Sequence, residues 1–145
     1  VFGDIEEVGF LDEPGIPVGL IKLLSEDKRL NNKHVITSGI LSIEVGIPFK
    51  LFVNESDFEM YAVTGNFDNA LLIAFDMKWF RSEGINLYDY NHAYVDIYGV
   101  YVVPDRNQLR SFGLMDLMPH LKDVSYFVVK KPGLGKNEEV EDIGE

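Results

Sequence analysis

Between Ala70 and Phe80 the sequence ALLIAFDMKWF sorts with a period of two. Leu71, Ile73, Phe75, Met77 and Trp79 fall on one side, and Leu72, Ala74, Asp76, Lys78 and Phe80 on the other, which turns polar midway. A strand packed on a core has this pattern, whereas helical spacing would scatter the same apolar residues around the circumference. Phe75→Ala is therefore expected to cost more stability than Leu72→Ala. Phe58–Thr64 reads as a neighbouring strand and the turn-rich Gly65–Asn69 as a loop, which predicts a hairpin over residues 58 to 80.

The remaining chain breaks into similar short elements. Residues 1 to 13 alternate weakly, as an edge strand or ordered arm would, before the Pro14-Gly15-Ile16-Pro17 turn. Val18–Leu30 brings Leu20, Leu23, Leu24 and Leu30 together at helical spacing, and Asn31-Asn32 closes that helix. His34–Ile47 and Phe49–Val53 are extended, with Gly39 and Gly46 marking bends. Ala93–Val103 is apolar or aromatic on both faces, broken only by Asp96 and Gly99, and reads as a strand covered on both sides. Asp105-Arg106-Asn107-Gln108 has the form of a capping box, opening a helix that stops at Gly113. Leu114–Leu121 suggests a further helical turn, and Val124–Lys131 a last strand. Short connections favour antiparallel neighbours. The expected fold is α+β: one domain over residues 1–131, with a curved, mainly antiparallel sheet and two or three short helices. Its element order is compatible with an OB-like barrel. Residues 132–145 are expected to form a flexible acidic tail.

Composition narrows the chemistry. The chain of 145 residues carries a formal charge of -11 and no cysteine, so disulfides and cysteine-held zinc are excluded. The missing cysteine also favours an intracellular setting. The charge repels phosphate backbones and anionic headgroups and favours a basic partner, which makes another protein the expected partner and nucleic acid or a membrane an unexpected one. The longest wholly apolar run, Ala70–Phe75, falls far short of the roughly 20 residues that span a bilayer. Because the first residue is Val1, the chain is expected to be processed or truncated upstream.

Two constellations carry candidate chemistry. Tyr88, Asp89, Tyr90 and His92 lie in a polar, aromatic connection, and such side chains anchor recognition surfaces through rigid area with a polar tip. Tyr94 and Tyr98 read instead as core fillers. The second is Asp57-x18-Asp76-Met77-Lys78, whose spacing is similar to the hairpin of metal-dependent nucleases of the PD-(D/E)xK type. That similarity implies Mg²⁺ held by Asp57 and Asp76, with Lys78 orienting water or stabilising charge. Ser56 stands where proline is usual, and aspartate replaces the commoner glutamate. An RNase H-like arrangement would add Asp89 and Asp96. His34, His92 and His120 are dispersed, and Gly133-Leu134-Gly135-Lys136 lacks the first glycine and the Ser/Thr of a phosphate loop. The expected function is thus a small, acidic, non-catalytic interaction module, a subunit of an assembly or an inhibitor of a basic partner. The alternative is the Mg²⁺-dependent nuclease.

Overall fold

A computed structural model describes residues 5–11, 13–105 and 117–133. Five strands close into a barrel: β3 (His34–Ser42), β4 (Phe49–Phe52), β5 (Ala70–Phe75), β6 (Tyr94–Val102) and β7 (His120–Lys131). The circuit runs β3-β4-β5-β7-β6 and back to β3, with every junction antiparallel except the parallel β5–β7 pair. This is an α+β, OB-like barrel, the form expected from the element order. Two short strands extend its rim, β1 (Glu6–Gly9) antiparallel to β7 and β2 (Ile16–Pro17) parallel to β3. The helices are α1 (Leu20–Leu24), α2 (Glu55–Thr64) and α3 (Met77–Ser82), with 3₁₀ turns at Lys28–Leu30 and Leu87–Tyr90.

Alternate positions of each strand fill the interior. Val35, Leu41, Leu51, Leu71, Ile73, Phe75, Val95, Ile97, Leu121, Val124 and Phe127 form one continuous apolar core. Phe75 meets Phe49, Phe80 and Phe127 at centroid distances of 5.7, 5.6 and 5.8 Å. β3 crosses this core at Gly39, where a Cβ would lie 2.7 Å from Leu51 Cγ and 2.6 Å from the Phe52 carbonyl oxygen. Helix α1 adds Leu20 and Leu23 to the core. The Tyr101 hydroxyl donates to the Leu23 carbonyl at 2.5 Å. Burial, followed by the negative charges of Glu26 and Asp27, pushes that hydroxyl up to about 12.

The predicted hairpin over 58–80 is not formed. Residues 55–64 are helix α2, and β5 pairs with β4 and β7 instead. The caps explain it. Asn54 Oδ1 accepts from the Asp57 amide at 2.8 Å, Glu55 and Asp57 sit favourably in the first turn, and Gly65 closes the helix at φ 76°. β5 also stops early, because Asp76 caps α3 by accepting from the Trp79 amide at 3.2 Å. The helix predicted over Val18–Leu30 is split into α1 and a 3₁₀ turn by Glu26, whose φ is 61°.

Two burial expectations also change. Leu72 is as buried as the residues that alternate with it, so β5 is covered on both faces. β6 shows the reverse: Val95, Ile97 and Tyr101 point inward, while Tyr94, Asp96 and Tyr98 stand on the outer wall. The capping box at Asp105 and the helix ending at Gly113 extend outside the described residues, as does the chain after Gly133. Of the turn predicted over 114–121, only 117–121 are described, and His120 already opens β7. Packing continues to Gly133, which is buried against the Asn91–Ala93 backbone.

Candidate functional site

The barrel has two contrasting outer walls. On β4 and β5 the outward residues are Lys50, Phe52, Ala70 and Leu72, in register as Lys50–Leu72 and Phe52–Ala70. All four are buried, and even Lys50 keeps only 2% of its surface exposed. The cover is α2 with the loop that follows it. Phe52 lies 5.9 Å from Phe58 and 5.4 Å from Tyr61, and Phe67 closes the edge 6.3 Å from Tyr61. The Lys50 ammonium donates to the Pro48 carbonyl at 2.8 Å and stands 4.8 and 5.2 Å from the Tyr61 and Phe67 ring centres. Burial lowers the Lys50 pKa, against the opposing pull of Glu44. The same burial, helped by a 2.6 Å hydrogen bond to Glu44, pushes the Tyr61 hydroxyl up to about 12.

The second wall is the outside of β3, β6 and β7, where Ile36, Ser38, Asp96, Tyr98, Tyr126 and Val128 are half-buried and Tyr94 is 39% exposed. Both carboxylate oxygens of Asp96 are engaged, one by the Ser38 hydroxyl at 2.6 Å and the other by Lys130 at 3.1 Å. Tyr98 and Tyr126, opposite one another in register, meet edge to face at 5.1 Å. Burial and a hydrogen bond to Glu7 raise the Tyr126 hydroxyl pKa. A concavity of about 360 Å³ lies near each end of this wall. One is lined by Glu13, His34, Tyr98, Asp123 and Tyr126, and the other by Asn54, Glu55, His92, Tyr94 and Lys131.

The structure gives the four residues singled out from the sequence different surroundings. Tyr88 is 41% exposed beside Phe49, and Asp89 is exposed next to it. Tyr90 is only 8% exposed, with its ring on Phe127 at 5.2 Å and its hydroxyl on Glu6 at 2.8 Å. His92 stacks on Phe58 at 4.3 Å, and its Nε2 lies 2.5 Å from Glu55. Of the four, His92 alone lines one of the two concavities. Burial and the Glu6 bond raise the Tyr90 hydroxyl pKa.

Asp57 and Asp76 are not brought together. Asp57 lies in the first turn of α2 beside Asn69, just before β5, whereas Asp76 follows the far end of that strand. The intervening residues span about 20 Å at the usual strand rise. Lys78, two positions into α3, is exposed, and Asp76 is occupied as a cap. Among the described residues no group of three or more His, Cys, Asp or Glu side chains has metal-binding geometry. These positions therefore do not assemble the Mg²⁺ site that the hairpin spacing implies. Nor does any helix among the described residues have the length and apolarity to cross a membrane.

Sequence reasoning missed Glu13, Asp123 and Tyr126. The alternation of β6 could have supplied Tyr98, since Val95 and Ile97 inward put 96 and 98 outward. Comparison with family models, with curated proteins and with solved structures finds no match for this chain.

Proposed function

We propose that this protein is a small, acidic, non-catalytic interaction module that docks a basic protein surface, as a subunit of an assembly or as an inhibitor. The observation that carries this reading is the burial of the β4–β5 wall beneath α2. OB-type barrels bind oligonucleotides and oligosaccharides on their second and third strands, and β4 and β5 hold those places here. With that wall closed, the β3–β6–β7 wall remains, with its tyrosines, Asp96 and neighbouring acids. A net charge of -11 steers basic partners toward such a surface and phosphate chains away from it.

Two titrations of the full chain test the reading: a hexa-arginine peptide and a short single-stranded oligothymidylate, each at low and at physiological salt. The peptide is expected to bind, with affinity falling steeply as salt screens the charges. The oligonucleotide is expected not to bind. Oligonucleotide binding without peptide binding would overturn the proposal. So would Mg²⁺-dependent cleavage of nucleic acid that Asp76→Asn abolishes.

A further inference from the structure

Residues 10–11 and 13–15, an N-terminal strap between β1 and β2, lie against the open wall. The Phe10 amide donates to the Ser125 carbonyl on β7 at 3.0 Å, and Ser125 Oγ donates back to the Phe10 carbonyl at 3.2 Å. Ile16 then pairs with Val35 on β3, which is itself opposite Gly99 on β6. As far as it is described, this strap is thus held by β7 at one end and by β3 at the other. Between it and the wall lies the concavity of about 360 Å³ lined by Leu11 and Glu13 from the strap and by His34, Tyr98, Asp123 and Tyr126 from the barrel.

The chemistry of the lining is one-sided. Two carboxylates, Glu13 and Asp123, share the lining with two tyrosines, and no lysine or arginine is among the described lining residues. His34 is the single side chain there that could carry positive charge, and its Nε2 already lies 3.1 Å from Glu13. Aromatic rings attract cations through their negative faces, and nearby carboxylates add charge and hydrogen-bond acceptors. An anion would meet carboxylates, and a purely apolar group would bury them unpaired. A planar guanidinium on an extended stem satisfies both halves of the lining, with the stem along Leu11 and the tyrosines and the head between the acids.

We infer that the concavity between the N-terminal strap and strands β3, β6 and β7 is a receptor for an arginine side chain of the basic partner. This rests on the function proposed above and specifies where the partner is anchored. Arginine is favoured over lysine because its flat head can stack on tyrosine and donate hydrogen bonds to two carboxylates at once.

The test uses the ¹⁵N-labelled full chain with N-acetyl-arginine-amide as probe and N-acetyl-norleucine-amide as its uncharged control. Saturable amide shifts centred on Gly15, Gly99 and Ser125, seen with the arginine probe and absent with norleucine, are expected. The double substitution Glu13→Gln with Asp123→Asn should weaken the probe at least ten-fold, and Tyr98→Ala by several-fold. Shifts that never saturate, that spread evenly over the acidic surface, or that survive the double substitution would overturn the assignment. Should a variant not fold, the shift map of the unmodified chain decides alone. Salt-sensitive hexa-arginine binding that ignores the double substitution would sink the pocket and leave the basic-partner reading standing. Saturable binding of the small probe, with no peptide binding at low salt, would do the reverse.

Discussion

The two outer walls of this barrel are made by the same alternation, yet one has become core and the other has stayed surface. On β4 and β5 an ammonium, a phenylalanine, an alanine and a leucine are all sealed, while on β3, β6 and β7 a serine, an aspartate and three tyrosines meet solvent. Strand propensity does not distinguish them, since tyrosine and phenylalanine suit pleated surfaces equally. What differs is the connection. α2 is inserted between β4 and β5 and lies back over the pair it interrupts. The described residues between β1 and β2 lie against the other wall and leave a concavity beside them. A covering helix turns a potential ligand platform into a second core, and a covering strap turns one into a pocket.

The largest effects should expose this contrast directly. Phe52→Ala on the covered wall is expected to cost about 3–5 kcal/mol, and Leu72→Ala about 2–5 kcal/mol, as truncations of fully buried side chains. Tyr94→Ala on the open wall should stay within about 0.5 kcal/mol. Urea unfolding of the three variants measures the difference. Comparable losses at 52 and 94 would mean that the walls are not energetically distinct.

Lys50 sharpens the comparison from the electrostatic side. Its ammonium has one carbonyl partner and two aromatic faces in place of water. Lys50→Met keeps the volume and removes the charge, so stability is expected to match the parent within about 1 kcal/mol or to exceed it. The pH dependence is diagnostic. A lysine whose folded pKa is lowered binds its proton more weakly in the folded state than in the unfolded one. Stability therefore rises with pH from the folded value toward the unfolded value of about 10.4. Tyr61 and Tyr101 work in the opposite sense. Their folded values near 12 stabilise fully below about 10, and that contribution is lost as pH climbs toward 12. Because the two contributions have opposite signs and the tyrosines are common to both proteins, the difference between the parent and Lys50→Met isolates the lysine. The rising limb should disappear in Lys50→Met, and a parallel curve would show that the ammonium is not desolvated.

How far these walls were legible in the sequence depends on the range of the determining contact. The period of two in Ala70–Phe75 and the turn signals gave the strands, and the strands gave the barrel. Phe58–Thr64 was misleading because seven residues with apolar groups at 58, 60, 61 and 63 suit a strand or a helix nearly equally. The deciding marks were local, Asn54 at one end and Gly65 at the other. The aromatic connection hides its burial for a related reason. In the 3₁₀ turn Leu87–Tyr90, positions three apart share a side, so Leu87 and Tyr90 go inward while Tyr88 and Asp89 go out. The pocket under the strap was out of reach altogether, since Glu13, His34, Tyr98 and Asp123 come from four distant segments that only the closed topology brings together.

Asp76 marks where the covered strand ends, and its effect should be intermediate. As the N-cap of α3 it is expected to cost about 1 kcal/mol when replaced by alanine and a few tenths when replaced by asparagine, which caps as well. Calorimetry on both variants distinguishes a cap from a required charge. Equal losses in Asp76→Ala and Asp76→Asn would show that the negative charge, rather than the hydrogen bond to the Trp79 amide, holds the end of β5.

The last comparison belongs to the seam between the walls, where His92 stacks on Phe58 of α2 and its Nε2 reaches Glu55. His92 also has a left-handed backbone at φ 73°, a conformation that asparagine tolerates better than most residues. His92→Asn therefore keeps the backbone and removes both the stack and the contact with Glu55, while Glu55→Gln removes only the carboxylate's charge. Charged contacts at the surface contribute roughly 0–1 kcal/mol, so Glu55→Gln should fall in that range, and at a pH where the histidine is protonated the loss should fade at high salt. His92→Asn should cost slightly more, by the value of one aromatic contact, about 0.5–1.5 kcal/mol, and that part should persist in salt. Urea titrations at low and high salt separate the two. A loss in Glu55→Gln that persists undiminished at high salt would mean that the carboxylate acts through hydrogen bonding rather than charge. If His92→Asn instead proved far more costly than this, α2 would depend on the seam for its place over β4 and β5, and the covered wall would be only as secure as that single histidine.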